Sequence, residues 1–195
     1  MKSIFALVIS ILVCGFTQAD EFESSFVLSQ GQFETDNAQF SNHVVFEFRQ
    51  SWMPKRNAGW ELGVQTTSGA SDKGSDVKGE YESNLDTRDI LLGFKLTGEF
   101  CSICQAYFRV GVSRGTTTIS VKESFNGLQP GGDVEIQTTS NGYYTGLGLG
   151  AWVEAQYLLS LDWAYHERPN LFEGESEFPF DLISNQWGIN LTYWF

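Results

Sequence analysis

The nine residues Trp187-Gly-Ile-Asn-Leu-Thr-Tyr-Trp-Phe195 constrain this chain more than any other stretch. Phe195, Tyr193, Leu191, Ile189 and Trp187 alternate with Trp194, Thr192, Asn190 and Gly188. Strand side chains point to opposite faces in turn, so the segment carries one apolar face and one mostly small or polar face. The apolar face continues to the last residue, which is aromatic. A strand of this kind needs a large apolar environment along one whole side.

The same period recurs along the chain, and helical periodicity is nearly absent. Strands are predicted over 24–32, 43–52, 60–68, 88–96, 105–114, 143–154, 157–166 and 187–195. On each, one face is apolar (Val44, Phe46 and Phe48; Ile90, Leu92 and Phe94; Leu159, Leu161 and Trp163). The opposite face carries Glu47, Arg49, Glu61, Asp89, Lys95, Arg109, Glu154 and Asp162 among glycines and small residues. The connections alternate in length. Those at 53–59, 97–104 and 155–156 are short, and those at 33–42, 69–87, 115–142 and 167–184 are long. An even number of strands with short turns on one side and long loops on the other is the pattern of a closed membrane barrel. The segments are close to the about 9–11 residues that a tilted strand needs to cross a bilayer.

The start of the chain agrees. Lys2 precedes an apolar run from Ile4 to Phe16, and Thr17-Gln-Ala19 offers small residues for cleavage. Residues 1–19 therefore read as a signal peptide and 20–195 as one barrel domain. A membrane anchor is the alternative, but the run falls short of the roughly 20 residues a spanning helix needs. Lipidation of Cys14 is disfavoured because Val13, not a small residue, precedes it. The net charge of −12 argues against a nucleic-acid partner. Cys101 and Cys104 are three apart; in an exported chain a local disulfide is expected, with a redox pair or half a zinc site as alternatives.

A soluble eight-stranded ligand barrel would carry its apolar face inside and its charges outside. Trp52, Trp60, Tyr157, Tyr193 and Phe195 fall at one set of strand ends, and Tyr143, Trp163, Tyr165 and Trp187 at the other. Two aromatic girdles favour the membrane. Taken with the ending Leu-Thr-Tyr-Trp-Phe195, the chain resembles the small eight-stranded Gram-negative outer-membrane β-barrels, the OmpA-transmembrane and OmpX/Ail-like group. The resemblance implies an all-β, antiparallel up-and-down transmembrane barrel with both termini periplasmic. It implies an assembly signal at Tyr193 and Phe195, and outer-membrane lipid, lipopolysaccharide and the barrel-assembly machinery as partners. A monomer is expected, and no cofactor is implied.

The barrel interior is about filled by its own side chains at this strand number. Charges enclosed there must pair, so Glu47 or Glu61 is expected to meet Arg109, Arg49 or Lys95. That predicts a plugged barrel, with a narrow pore as the alternative. Gly146-Leu-Gly-Leu-Gly150 lies within a strand pattern and so reads as room for neighbouring rings, not as a phosphate loop. Lipid A deacylases of this fold place a serine two residues from a histidine. Here His166 precedes Glu167 and Arg168, and the nearest preceding serine is Ser160, so that spacing is absent; a lipid A-modifying acyl-chain enzyme, with a serine brought in from elsewhere in the chain, is the second alternative. His43 and His166 read as inward rim residues and a poor metal site. No catalytic or metal residue is assigned. A non-enzymatic role in surface interaction or envelope integrity is therefore expected, with the outer loops as the candidates to meet a surface protein or host ligand. Segments 118–124 and 134–140 read as a hairpin rising above the membrane, and Phe172, Phe178 and Phe180 as partner contacts or rim packing.

Overall fold

The computed structural model describes residues 22–35, 40–55, 57–75, 79–125, 132–173 and 179–195. The predicted signal peptide, the loop tips and Phe178 lie outside them. Eight antiparallel strands follow one another around a closed ring: β1 Phe22–Glu34, β2 His43–Lys55, β3 Ala58–Ser75, β4 Gly79–Cys101, β5 Cys104–Phe125, β6 Asp133–Glu154, β7 Tyr157–Leu171 and β8 Phe180–Trp194. β1 pairs with β8 from Glu23↔Trp194 to Glu34↔Ile183, so the wall has no seam. Closure gives the two terminal strands each other as partners and leaves the ring no open edge, which a sheet inside a bilayer requires.

The strands are longer than the alternation predicts, and most of the excess lies at the long-loop end. Segment 69–87, read as a loop, is paired strand out to Ser75↔Glu80. β5 and β6 pair out to Lys122↔Asp133, as the hairpin reading of that segment anticipates. Segment 167–184, also read as a loop, supplies the end of β7 and the start of β8, with Arg168 opposite Leu182. The apolar period is lost where both faces meet water, as in Ser71-Asp-Lys-Gly-Ser75, while backbone pairing continues. β3 carries a register shift between Thr67 and Ala70. Gly69 there has φ +88°, a conformation that favours glycine, and the extra residue turns Ala70 back into the interior.

The wall is polar inside and apolar outside. Leu161 is 69% exposed and Trp187 67%, whereas Lys95 and Glu23 are fully buried and Arg49 is 1% exposed. A water-soluble ligand barrel has the opposite arrangement. Aromatic residues bracket the outer apolar belt. Trp60 meets Phe94 edge-on at 5.4 Å, and Tyr193 meets Tyr157 at 5.0 Å and Phe195 at 4.8 Å, all at the short-turn end. Trp163 and Trp187 lie 6.3 Å apart at the other end.

At the short-turn end, Cys101 and Cys104 form a disulfide across the turn between β4 and β5. No cluster of metal-ligating side chains occurs among the described residues. The loop it closes is very short, so loop-closure entropy limits its worth to about 2 kcal/mol. Replacing both cysteines by serine is expected to lower the unfolding free energy by about 2 kcal/mol at most. Urea titration of the protein refolded in vesicles measures this, and a larger loss would mean that the bond orders the turn by other means.

Candidate functional site

The enclosed charges form one connected arrangement across the lumen. It begins on β2, where Glu47 and Arg49 are two apart and so share the inward face. Arg49 donates from Nε and Nη2 to the two oxygens of Glu47, the second bond at 3.0 Å, and from Nη1 to Glu61 on β3. Glu61 also accepts from the Tyr144 hydroxyl on β6 at 2.9 Å and faces Arg109 Nε on β5 at 3.3 Å. Arg109 Nη1 donates to Asp162 Oδ2 on β7 at 2.9 Å. Tyr107 donates to the same oxygen at 2.9 Å and accepts from Asn190 Nδ2 on β8 at 2.9 Å. The two tyrosine rings support the cations from the side. Arg49 lies 4.6 Å from the Tyr144 centroid, and Arg109 and Lys95 lie 4.5 and 4.8 Å from that of Tyr107.

Two further bridges flank this layer. Towards the short turns, Lys95 on β4 pairs with Glu23 on β1. Towards the long loops, Arg168 on β7 pairs with Asp89 on β4 and donates to Thr117 Oγ1 at 2.6 Å. Acids and bases are nearly balanced, which is what a low-dielectric enclosure demands. A cavity of about 10 Å³ bordered by Glu47, Arg49, Arg109 and Asp162 is the size of one water molecule.

Glycine supplies the room for these rings. A Cβ on Gly148 would overlap the ring of Tyr107. Gly148→Ala is therefore expected to displace Tyr107 from Asp162 and to cost about 1–3 kcal/mol, as overpacking does. Urea unfolding followed by tryptophan fluorescence measures it; an unchanged midpoint would show that the ring has space to retreat.

Above the polar layers the chemistry changes. Phe33, Phe40, Leu85, Leu171, Phe172 and Leu182 close around Ala70 at the long-loop mouth, with Ile119 and Phe180 against them. Phe172 reaches this cluster from a left-handed backbone, φ 64°, and Asn170 before it has φ 52°. The Asn170 N–H is held by Asp181 Oδ1 at 2.8 Å. Phe33 stacks on His43 at 4.1 Å between ring centroids.

The structure brings together Glu47, Arg49, Glu61, Asp89, Lys95, Arg109 and Asp162. Glu154 is a correction. It is exposed at the end of β6, past a register shift after Trp152, and joins no ion pair among the described residues. Lys95 takes Glu23 as its partner in place of Glu47 or Glu61. Of the two readings for Phe172 and Phe180, rim packing is the one seen: Phe172 is 6% exposed and packed in the apolar cap, not displayed to a partner, and Phe180 is half-buried against it. Glu23, Arg168, Tyr107 and Tyr144 were not among the expected network members. Glu23 and Arg168 keep the inward parity of β1 and β7, one step beyond the predicted strand ends.

Solved membrane barrels share this architecture. Neisserial surface protein A superposes with a TM-score of 0.60 at 10% identity, covering 89% of this chain and 97% of that one. The attachment invasion locus protein Ail of Yersinia pestis gives 0.52 at 12% identity over 89% and 98%, and OprG of Pseudomonas aeruginosa 0.52 at 12% over 90% and 96%. The chain has the fold of the small eight-stranded outer-membrane β-barrels. No protein-family model matches it, and no curated protein does.

Among the described residues of this barrel, the one serine and histidine that meet in register are Ser184 and His166, on β8 and β7. Both are buried beneath the apolar cap, and no hydrogen bond joins them. Ser184 Oγ accepts from Gln186 at 3.1 Å, and His166 stacks on Tyr144 at 5.5 Å. The hydrogen bond between nucleophile and base that acyl transfer calls for is absent from this pair.

Proposed function

We propose that this chain is a non-enzymatic, monomeric outer-membrane barrel with a plugged interior. Its termini are periplasmic, and it acts at the cell surface through the sheet that rises beyond its mouth. One observation carries the reading. β3, β4, β5 and β6 continue as a four-stranded sheet past the ring, and β6 has no β7 partner until Tyr143↔Glu167. Among the described residues, the stretch from Asp133 to Gln137 thus offers a strand edge with no β7 neighbour, with Val134 and Ile136 exposed on it. Such an edge accepts a strand from a second protein.

The charge of the chain narrows the partner. Ail was crystallised with a heparin analogue, sucrose octasulfate. With a net charge of −12, this chain repels a sulfated polyanion, and a protein strand suits its edge better. Cells displaying the protein are expected to adhere to surfaces coated with extracellular-matrix protein. Val134→Lys with Ile136→Lys is expected to cut adhesion at least fivefold while heat-modifiable gel migration, which reports the barrel, stays unchanged. Undiminished adhesion would remove the edge from the account. In planar bilayers the protein is expected to show no steady single-channel conductance; a steady current would replace the plug with a pore.

A further inference from the structure

At its short-turn end the lumen finishes in a space that the ion-pair layers do not fill. Beyond the Lys95–Glu23 bridge, the inward face of β4 reaches Glu99, which pairs in register with Gln105 near the start of β5. Asn190 and Thr192 are fully buried, so Trp194 keeps the inward face of β8. Trp152 keeps that of β6, on which Gly148 lies beneath Tyr107. The two indoles meet edge-on, with 6.0 Å between ring centroids. With Glu99, Gln105 and Glu154 they border a half-open cavity of about 600 Å³, set between the turn after β4 and the turn after β6. Those turns hold the aromatic wall. The backbone N–H of Trp152 donates to Ile103 O at 2.7 Å, inside the turn closed by the Cys101–Cys104 disulfide, and that of Trp194 donates to Gln156 O at 2.9 Å.

The polar groups of this vestibule select among ligands. Gln105 is 3% exposed, and its Oε1 meets no donor among the described residues. The buried Trp194 Nε1–H meets no acceptor among them. Buried polar atoms nearly always have a partner, so an orphaned acceptor and an orphaned donor on one cavity call for a ligand that supplies both. Glu99 and Glu154, both exposed, add carboxylates at the rim. A cation would serve the oxygens and leave the indole N–H unmet. An anion would serve the N–H and be repelled by the carboxylates. A hydroxyl group both donates and accepts. A cavity of this size, with aromatic walls and a few convergent polar groups, has the make-up of a small-molecule site.

We propose that this vestibule binds a neutral saccharide. One pyranose ring lies with its C–H face against Trp152 and Trp194, which offer broad apolar surfaces with a polar edge. Its hydroxyls donate to Gln105 Oε1 and to the carboxylates of Glu99 and Glu154, and one accepts from Trp194 Nε1. The site lies outside the plug, so binding needs no conducting lumen and does not depend on which way the barrel faces. With the short turns in the periplasm, as proposed above, the sugar is a free saccharide of that compartment or the end of a longer glycan.

The full chain, purified in a detergent that carries no sugar, is titrated calorimetrically with maltose, N,N′-diacetylchitobiose, glucuronate and spermidine. At least one neutral disaccharide is expected to bind about tenfold more tightly than the anion or the polyamine. Tighter maltose assigns a free saccharide, and tighter diacetylchitobiose a glycan end. Gln105→Leu keeps the shape and removes the orphaned oxygen. It is expected to weaken sugar binding about fivefold, the loss of one hydrogen bond, with heat-modifiable gel migration unchanged. Trp194→Phe keeps a ring and loses the N–H, and is expected to weaken binding about threefold or more. Spermidine bound more tightly than either disaccharide would overturn the neutral assignment. Sugar affinity unchanged in both variants would overturn the site, and no sugar binding at all would leave the vestibule to water alone. Val134→Lys with Ile136→Lys, at the opposite end of the barrel, is expected to leave sugar binding as it is, so this site and the surface edge stand or fall separately.

Discussion

Glu61→Ala is expected to lower the unfolding free energy by about 3–5 kcal/mol, the cost of breaking a buried ion pair by removing one partner. Glu61 is the joint of the lumen arrangement, because it meets Arg49, Arg109 and the Tyr144 hydroxyl. Without it, two guanidinium groups that are almost fully buried share only Glu47 and Asp162. Urea unfolding in lipid vesicles, followed by tryptophan fluorescence, measures the loss. Glu61→Ala combined with Arg49→Met is expected to cost less than the sum of the two single changes, since each removes the other's stranded charge. A loss below about 1 kcal/mol for Glu61→Ala would mean that water reaches this layer and screens it.

Leu161→Arg is expected to cost about 2–4 kcal/mol, the penalty for a cation at the midplane of a lipid-facing strand. Leu161 stands between Leu149 and Ile189 in register, at the centre of the outer belt, and is 69% exposed. Val134→Arg places the same charge on the protruding sheet, where Val134 is 57% exposed. There the change is expected to stay within about 0.5 kcal/mol, as at an ordinary surface position. The contrast carries the test, because two positions of similar exposure respond differently only if their solvents differ. Equal, small effects at both would mean that the belt faces water.

The ring itself was legible in the residues because a wall between two solvents imprints its period on every strand. Val44, Phe46 and Phe48 set against Val45, Glu47 and Arg49 show a boundary that neither side can cross. The same period marked Asp89, Lys95 and Asp162 as enclosed. It failed where one of the two solvents changes. Beyond Ala70 and Leu85 both faces of β3 and β4 meet water, and strand pairing leaves no hydrophobic trace in Ser-Asp-Lys-Gly-Ser. Within the mouth the interior turns apolar, so Leu85, Leu171 and Leu182 read as loop residues although they build the cap. Partner choice in the lumen was also beyond reach. Glu23 and Lys95 are on strands three apart in the chain, and only closure of the ring sets them together. Gly148 shows the intermediate case: a small residue was expected to admit a ring, but which ring depended on β5 lying beside β6.

The bridges across the lumen also act as tie-rods. Glu23–Lys95 links β1 to β4, Asp89–Arg168 links β4 to β7, and Glu61–Arg109 links β3 to β5. Flattening the ring would pull these partners apart and leave their charges unpaired at hydrocarbon depth. Lateral unzipping is therefore costly from every seam at once, and such a shell opens as a whole or stays shut. Material from its lumen has no sideways exit into the bilayer.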